Sequence, residues 1–134
     1  MGVCFYDIYD FHMPAAYISA GKIEPMVALG PGFGAEAFGT LARLGVKLLE
    51  ASVQPHENYG KRLTLSDIAV YEKICAGFAG RVVVPTQKAI QPEELPHLHD
   101  AGVRGIMIGA IVTGSTADSI EKATADFRAA ADKM

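Results

Sequence analysis

Glu50 is the residue that most directly suggests chemistry. It closes a run, Val46-Lys47-Leu48-Leu49, whose composition predicts a buried strand. An ionised carboxylate at such a place is costly unless it is paired. Burial raises its pKa toward the range of a general base; the alternative is a structural ion pair with Lys88 or Lys47. Lys88 follows another apolar run, Val82-Val83-Val84. It offers a point charge for an anion, or a Schiff-base amine if desolvated, or simply a solvated loop lysine. His56-Glu57 sits in the polar stretch from Gln54 to Arg62, long enough to act as a lid or to carry a ligand contact, so His56 is a third catalytic candidate.

A second set of residues suits an anion. Backbone N–H groups, aided by the positive end of a helix dipole, hold a phosphate well, and glycine keeps side chains out of the way. Gly109 and Ala110 lie in the last apolar run, and Gly114-Ser115-Thr116 open the last helical segment. Together they can form such a cradle, with hydroxyls from Ser115 and Thr86. The plainer alternative is close packing at Gly109, a turn at Gly114 and an N-cap at Ser115. Asp10, His12, His56 and Glu57 could in principle give a mixed oxygen and nitrogen metal site. No H-x-x-x-H or C-x-x-C spacing supports one, and His97 and His99, at i and i+2, diverge on a helix. Neither a metal nor another cofactor is expected.

Short apolar runs alternate with helix-period segments along the whole chain. Strands are expected at Val3–Tyr9, Pro25–Leu29, Val46–Val53, Arg81–Pro85 and Val103–Val112. Between them fall the segment Pro14–Ala20, and a helix carrying Ala37, Phe38, Leu41 and Leu44 that Gly45 ends. Another helix starts near Thr64, whose hydroxyl can cap the amide of Asp67, with Ile68, Tyr71, Ile74, Cys75 and Phe78 on its apolar face. A short one begins at Pro92 and is interrupted by Pro96. The last, Ser115–Lys133, buries Ile120, Ala123, Phe127 and Ala131. Alternation of this kind implies an α/β domain with parallel strands. Ligands in such folds bind at the carboxyl ends of the strands, where the polar and titratable residues of this chain collect.

The chain has 134 residues, half of them apolar, with a net charge of −3. That suits one domain, spanning residues 1–134, and disfavours disorder. There is no apolar stretch of the roughly 18 residues a membrane span needs, no signal-peptide order at the N-terminus and no basic run to attract nucleic acid. Cys4 and Cys75 lie far apart, which fits a reducing, cytoplasmic setting. Two architectures accommodate five strands: an open doubly wound sheet of flavodoxin-like order, or part of an eight-stranded barrel.

The segment from Arg81 to Gly114 resembles the last two units of the phosphate-binding TIM barrels, the group that includes thiamine-phosphate synthase and the tryptophan synthase α subunit. Their order of strand, G-G-I, T-P-E-D, short helix, D-A-G-V and I-G-S-A is met here by Val82-Val83-Val84, then Ala89-Ile90-Gln91-Pro92-Glu93-Glu94. Asp100-Ala101-Gly102-Val103 and Ile106-Met107-Ile108-Gly109-Ala110 follow. Where those barrels carry the paired glycines, this chain has Gln87-Lys88-Ala89. The resemblance implies a C-terminal half-barrel of four to five strand–helix units, with Val3–Tyr9 as a remnant of the fourth strand, standing alone or belonging to a longer barrel. It further implies a small phosphorylated ligand and lyase or isomerase chemistry next to a carbonyl, with Glu50 as base and Lys88 as cation. The alternative is a non-catalytic, ligand-binding α/β module. An unclosed half-barrel exposes its edges, so a homo-oligomer is expected. Asp10-Phe11-His12 is also similar to the D-x-H-x-x-G of flavodoxin-like cobalamin-binding domains, but Ala15 stands where the glycine belongs.

Overall fold

The computed structural model describes residues 2–19 and 21–134. Met1, and Ala20 at the expected end of the second segment, lie outside the described residues. Five strands form one sheet: β1 (Phe5–Tyr9), β2 (Glu24–Ala28), β3 (Leu48–Glu50), β4 (Arg81–Pro85) and β5 (Gly105–Met107). Helices alternate with them: α1 (Ala15–Ser19), α2 (Phe38–Arg43), α3 (Leu65–Gly77), α4 (Leu95–Asp100), and after β5 the short α5 (Ala110–Thr113) and α6 (Ala117–Ala131).

Every neighbouring pair is parallel and the spatial order is β1-β2-β3-β4-β5, the same as the order in sequence. A doubly wound sheet reverses direction at a switch point, so that its strand order departs from the chain order. The flavodoxin-like alternative is therefore corrected: each crossover steps the same way, as in a barrel. The cobalamin comparison at Asp10 and His12 loses its scaffold with it.

Strand pleating sorts the side chains onto two faces. Val27, Leu29, Leu49, Ala51, Val82 and Val84 point to the outer face and join Phe38, Leu41, Tyr71, Ile74, Phe78, Leu98 and Phe127 in one core. Register puts Tyr9, Ala28, Glu50 and Val83 in one row on the inner face, with Asp7, Met26 and Leu48 in the row before it. Helices cover the outer face, which is why its strand positions are uniformly apolar.

Several boundaries differ from expectation: β1 starts at Phe5 rather than Val3, β3 spans only Leu48–Glu50 of Val46–Val53, and β5 starts at Gly105 rather than Val103. The last strand stops at Met107 rather than Val112, because the Gly109 amide donates to Thr86 Oγ1 at 2.8 Å and the chain turns into α5. The last helix starts at Ala117 with Thr116 as its cap, accepting from the Ser119 amide at 3.2 Å, so Ser115 lies before the cap. Leu44 and Ile120, expected on buried faces, are 44% and 45% exposed, because α2 buries only Phe38 and Leu41 and α6 only Phe127; other local signals hold. Thr64 Oγ1 accepts from the Asp67 amide at 3.3 Å, and Pro92 opens a 3-10 turn that gives way to α4 at Leu95.

The D-A-G-V turn closes α4 at Gly102, whose φ of +96° lies in the left-handed region. A Cβ there would also fall 2.8 Å from Cys75 Cβ on α3. Gly102→Ala is therefore expected to destabilise the domain by about 1–3 kcal/mol in urea unfolding. An unchanged midpoint would show that α4 does not rely on this turn.

Candidate functional site

The inner face carries an acid pair at its centre. Glu50, at the end of β3, is 8% exposed, and its carboxyl interacts with Asp7 of β1 across the small Ala28 of β2. Burial, then the hydrogen bond and like charge of Asp7, push the Glu50 carboxyl from 4.5 to about 8; a hydrogen bond with Ser52 acts in the opposite sense. Asp7 was not singled out from the sequence. Its only signal there is a carboxylate in the middle of an aromatic and β-branched run, which becomes meaningful once register brings β1 and β3 together.

Glu50 does not pair with Lys88. The ammonium of Lys88 meets Asp67 Oδ2 at 3.2 Å, and both groups are buried. Asp67 also accepts from the Thr64 amide at 2.9 Å, from Thr64 Oγ1 at 2.7 Å and from Gln54 Nε2 at 3.0 Å. Burial pushes the Asp67 carboxyl up, but the donors from Thr64, Lys88 and Gln54 outweigh it and hold the carboxyl below its usual range. The second hydrogen bond of Gln54 Nε2 reaches Tyr71 Oη at 3.3 Å. Lys88 is thus neither a solvated loop lysine nor a free amine. It neutralises α3 beneath the sheet end.

Gln87 faces the other way and organises the inner side. Its Oε1 accepts from the Gln54 amide at 3.1 Å. Nε2 donates to Ser52 Oγ at 2.7 Å and to Tyr59 Oη at 2.5 Å, and Ser52 Oγ lies 2.9 Å from Tyr9 Oη. Gln87 and Lys88 therefore replace the paired glycines with two side chains that point to opposite sides of the strand end. His56 opens a 3-10 turn in the loop before α3, is exposed and stacks on Tyr59 with ring centroids 4.9 Å apart. Near β1, Asp10 Oδ1 is buried without a hydrogen-bond partner among the described residues, close to Gly30, while His12 is exposed.

The expected anion cradle is only partly open. Thr86 Oγ1 engages the Gly109 amide, and the Gly114 amide donates to Ala110 O at 2.9 Å. Gly109 and Gly114 therefore shape the chain rather than presenting their own N–H groups; Gly114, with a φ of +67°, makes the turn between α5 and α6. Among the described residues the amides of Ala110 and Ile111, in the first turn of α5, have no internal acceptor, and Ala110, Ile111 and Ser115 are exposed. Among the described residues no three His, Cys, Asp or Glu side chains gather as a metal site, and no helix is long and apolar enough to cross a membrane.

The raised Glu50 carboxyl has a consequence for stability. Because the folded state holds this proton up to about pH 8 and the free carboxyl releases it near 4.5, folding binds a proton between those values. Stability then falls as pH rises from 4.5 to 8. Glu50→Gln, which resembles the protonated form, is expected to be as stable as wild type near pH 4.5 and more stable above pH 8, by on the order of a few kcal/mol. Urea titrations at the two pH values test this, and a gap independent of pH would mean that Glu50 is ionised in the folded protein at neutrality.

No protein-family model matches the chain, and no curated protein matches it. Solved structures do. Thiamine phosphate pyrophosphorylase from Pyrococcus furiosus superposes with a TM-score of 0.68 at 18% identity, covering 97% of this chain and 60% of that one. The tryptophan synthase A-subunit from the hyperthermophile Pyrococcus furiosus superposes with a TM-score of 0.62 at 12% identity, over 92% of this chain and 55% of that one. The chain thus spans somewhat more than half the length of each. At these identities the likeness establishes the fold: five consecutive parallel strand–helix units arranged as in a TIM barrel.

Proposed function

We propose that the protein binds a small phosphorylated metabolite at the carboxyl ends of its strands and moves a proton next to a carbonyl, as a lyase or isomerase would. The observation that carries this reading is the buried Glu50 carboxyl on the inner face at the end of β3, flanked by Asp7 and Ser52. A carboxyl with that environment exchanges protons near neutral pH, which an exposed glutamate does poorly. The amides of Ala110 and Ile111, with the hydroxyl of Ser115, offer the phosphate donors, and Thr86 secures the turn that presents them. His56 stands at the rim on its loop. Lys88 serves here as a positioning residue through Asp67. The phosphate-containing name of the first structural neighbour supports the ligand class.

Two measurements test the reading. Inorganic phosphate is expected to shift the amide resonances of Ala110, Ile111 and Ser115 and few others. In D2O, a panel of phosphorylated hydroxy-ketones and aldehydes is expected to contain at least one whose α-proton exchanges. That rate rises as pH passes through about 8, where Glu50 ionises, and falls 10²-fold or more in Glu50→Gln. Phosphate shifts without any exchange would leave a binding module; shifts at other residues would end the assignment.

The same reading includes self-association and a cytoplasmic setting. Among the described residues both edge strands, β1 and β5, lack an outer partner, and Phe5 and Met107 are 47% and 38% exposed on them. Cys4 and Cys75 are unbridged, as a reducing compartment would keep them. A second copy can pair its β1 with β5 in the parallel sense a barrel requires. Light scattering on a size-exclusion column is expected to give a dimer or a larger assembly at micromolar concentration, and a compact monomer would refute the pairing.

A further inference from the structure

The hydrogen bonds around Gln87 have only one consistent direction. The Gln54 backbone N–H can only donate, so the Gln87 oxygen must be the atom that faces it. Both hydrogens of Gln87 Nε2 are then committed, one to Ser52 Oγ and one to Tyr59 Oη. Tyr59 Oη consequently has an acceptor position filled from behind, and its own proton has no acceptor among the described residues. The ring is braced by His56 and remains 38% exposed. Gly60, the next residue, is tied to Gln87 O by its amide at 2.9 Å, so the loop is pinned where the phenol leaves it.

Ser52 shares that amide nitrogen with Tyr59 and also lies beside Glu50. The phenol is therefore linked to the group that would take the substrate proton through two side chains, Gln87 and Ser52. Thr86, adjacent to Gln87, holds the Gly109 turn on the other side. Gln87 and its neighbour thus join the acid pair, the phenol and the open amides into one arrangement at the strand ends.

From this geometry we infer that Tyr59 is a catalytic residue, donating a hydrogen bond to the carbonyl oxygen of the substrate, with Gln87 as its positioning residue. The inference rests on the proposed reading of the site and deepens it. When Glu50 takes the α-proton, the electron pair of the broken C–H bond forms a carbon–carbon double bond, and the carbonyl π pair moves onto oxygen. Tyr59 O–H stabilises that developing charge, and nothing is oxidised or reduced. The position falls to Tyr59 because Lys88, the expected cation, is spent on Asp67.

The test uses two probes, inorganic phosphate and 2-phosphoglycolate, whose carboxylate imitates the charged oxygen. Wild type and Tyr59→Phe are compared by amide NMR, together with wild-type protein labelled at tyrosine Cζ. Tyr59→Phe is expected to weaken 2-phosphoglycolate by 10-fold or more while inorganic phosphate changes less than twofold. The Tyr59 Cζ signal should move with 2-phosphoglycolate and stay still with phosphate, a response that a merely structural tyrosine would not give. Equal affinity of 2-phosphoglycolate for both proteins, or a Cζ signal indifferent to it, overturns the role of Tyr59 while phosphate binding leaves the broader reading standing. If wild type binds neither probe, the phosphate site and the role of Tyr59 fall together.

Discussion

The carboxylate of Asp67 is the point on which the site end of the fold turns. It sits one turn into α3 and accepts from Thr64, Gln54 and the buried ammonium of Lys88. An ammonium in that position must have a partner, since an unpaired buried charge costs several kcal/mol. Lys88 thus ties the end of β4 to the start of α3, and the same carboxylate orients Gln54. Gln54 in turn orients Gln87 through its backbone amide. A capping carboxylate, ordinarily a matter of one helix end, here also holds the side chain of the residue whose backbone amide meets Gln87.

Division of labour between the two faces follows from the pleat. The outer face is apolar because helices cover it, and most of its strand positions are fully buried. The inner face of a curved sheet has room for only one row of side chains per layer, so a small residue such as Ala28 lets Asp7 and Glu50 approach each other. Two carboxyls so placed cannot both ionise at low energy, and one keeps its proton. The core therefore provides a rigid outer wall, and the inner row holds the group with unusual acidity.

Much of the fold was legible in sequence. The strand runs at Pro25–Leu29 and Arg81–Pro85 met their partners nearly residue for residue, and the Thr64 cap and the Pro92 turn appeared where local chemistry placed them. Boundaries slipped where a tertiary contact intervened: Val103–Val112 was cut short by the Thr86 hydroxyl, which comes from 23 residues earlier. Glu50 was legible because a carboxylate after an apolar run is anomalous in itself. The partner of Lys88 was not, because Asp67 looked fully explained as a helix-cap residue. Nor was Asp7, ordinary in its own segment, while Gln87 stood out only as a departure from the paired glycines and its bond to Tyr59 only in the fold.

Composition and periodicity alone determined the α/β class, the parallel sense of the strands and the end of the sheet at which polar groups gather. These depend on local alternation of apolar residues and on steric rules of the backbone, which any stretch of the chain carries within itself. Only the tertiary structure decided between a sequential and a switched strand order, paired Lys88 with Asp67 rather than Glu50, and closed the amides of Gly109 and Gly114 while leaving those of Ala110 and Ile111 open. Strand order, ion pairing and amide occupancy depend on which distant groups meet across the sheet, and a buried charge or donor accepts whatever partner the packing brings within reach.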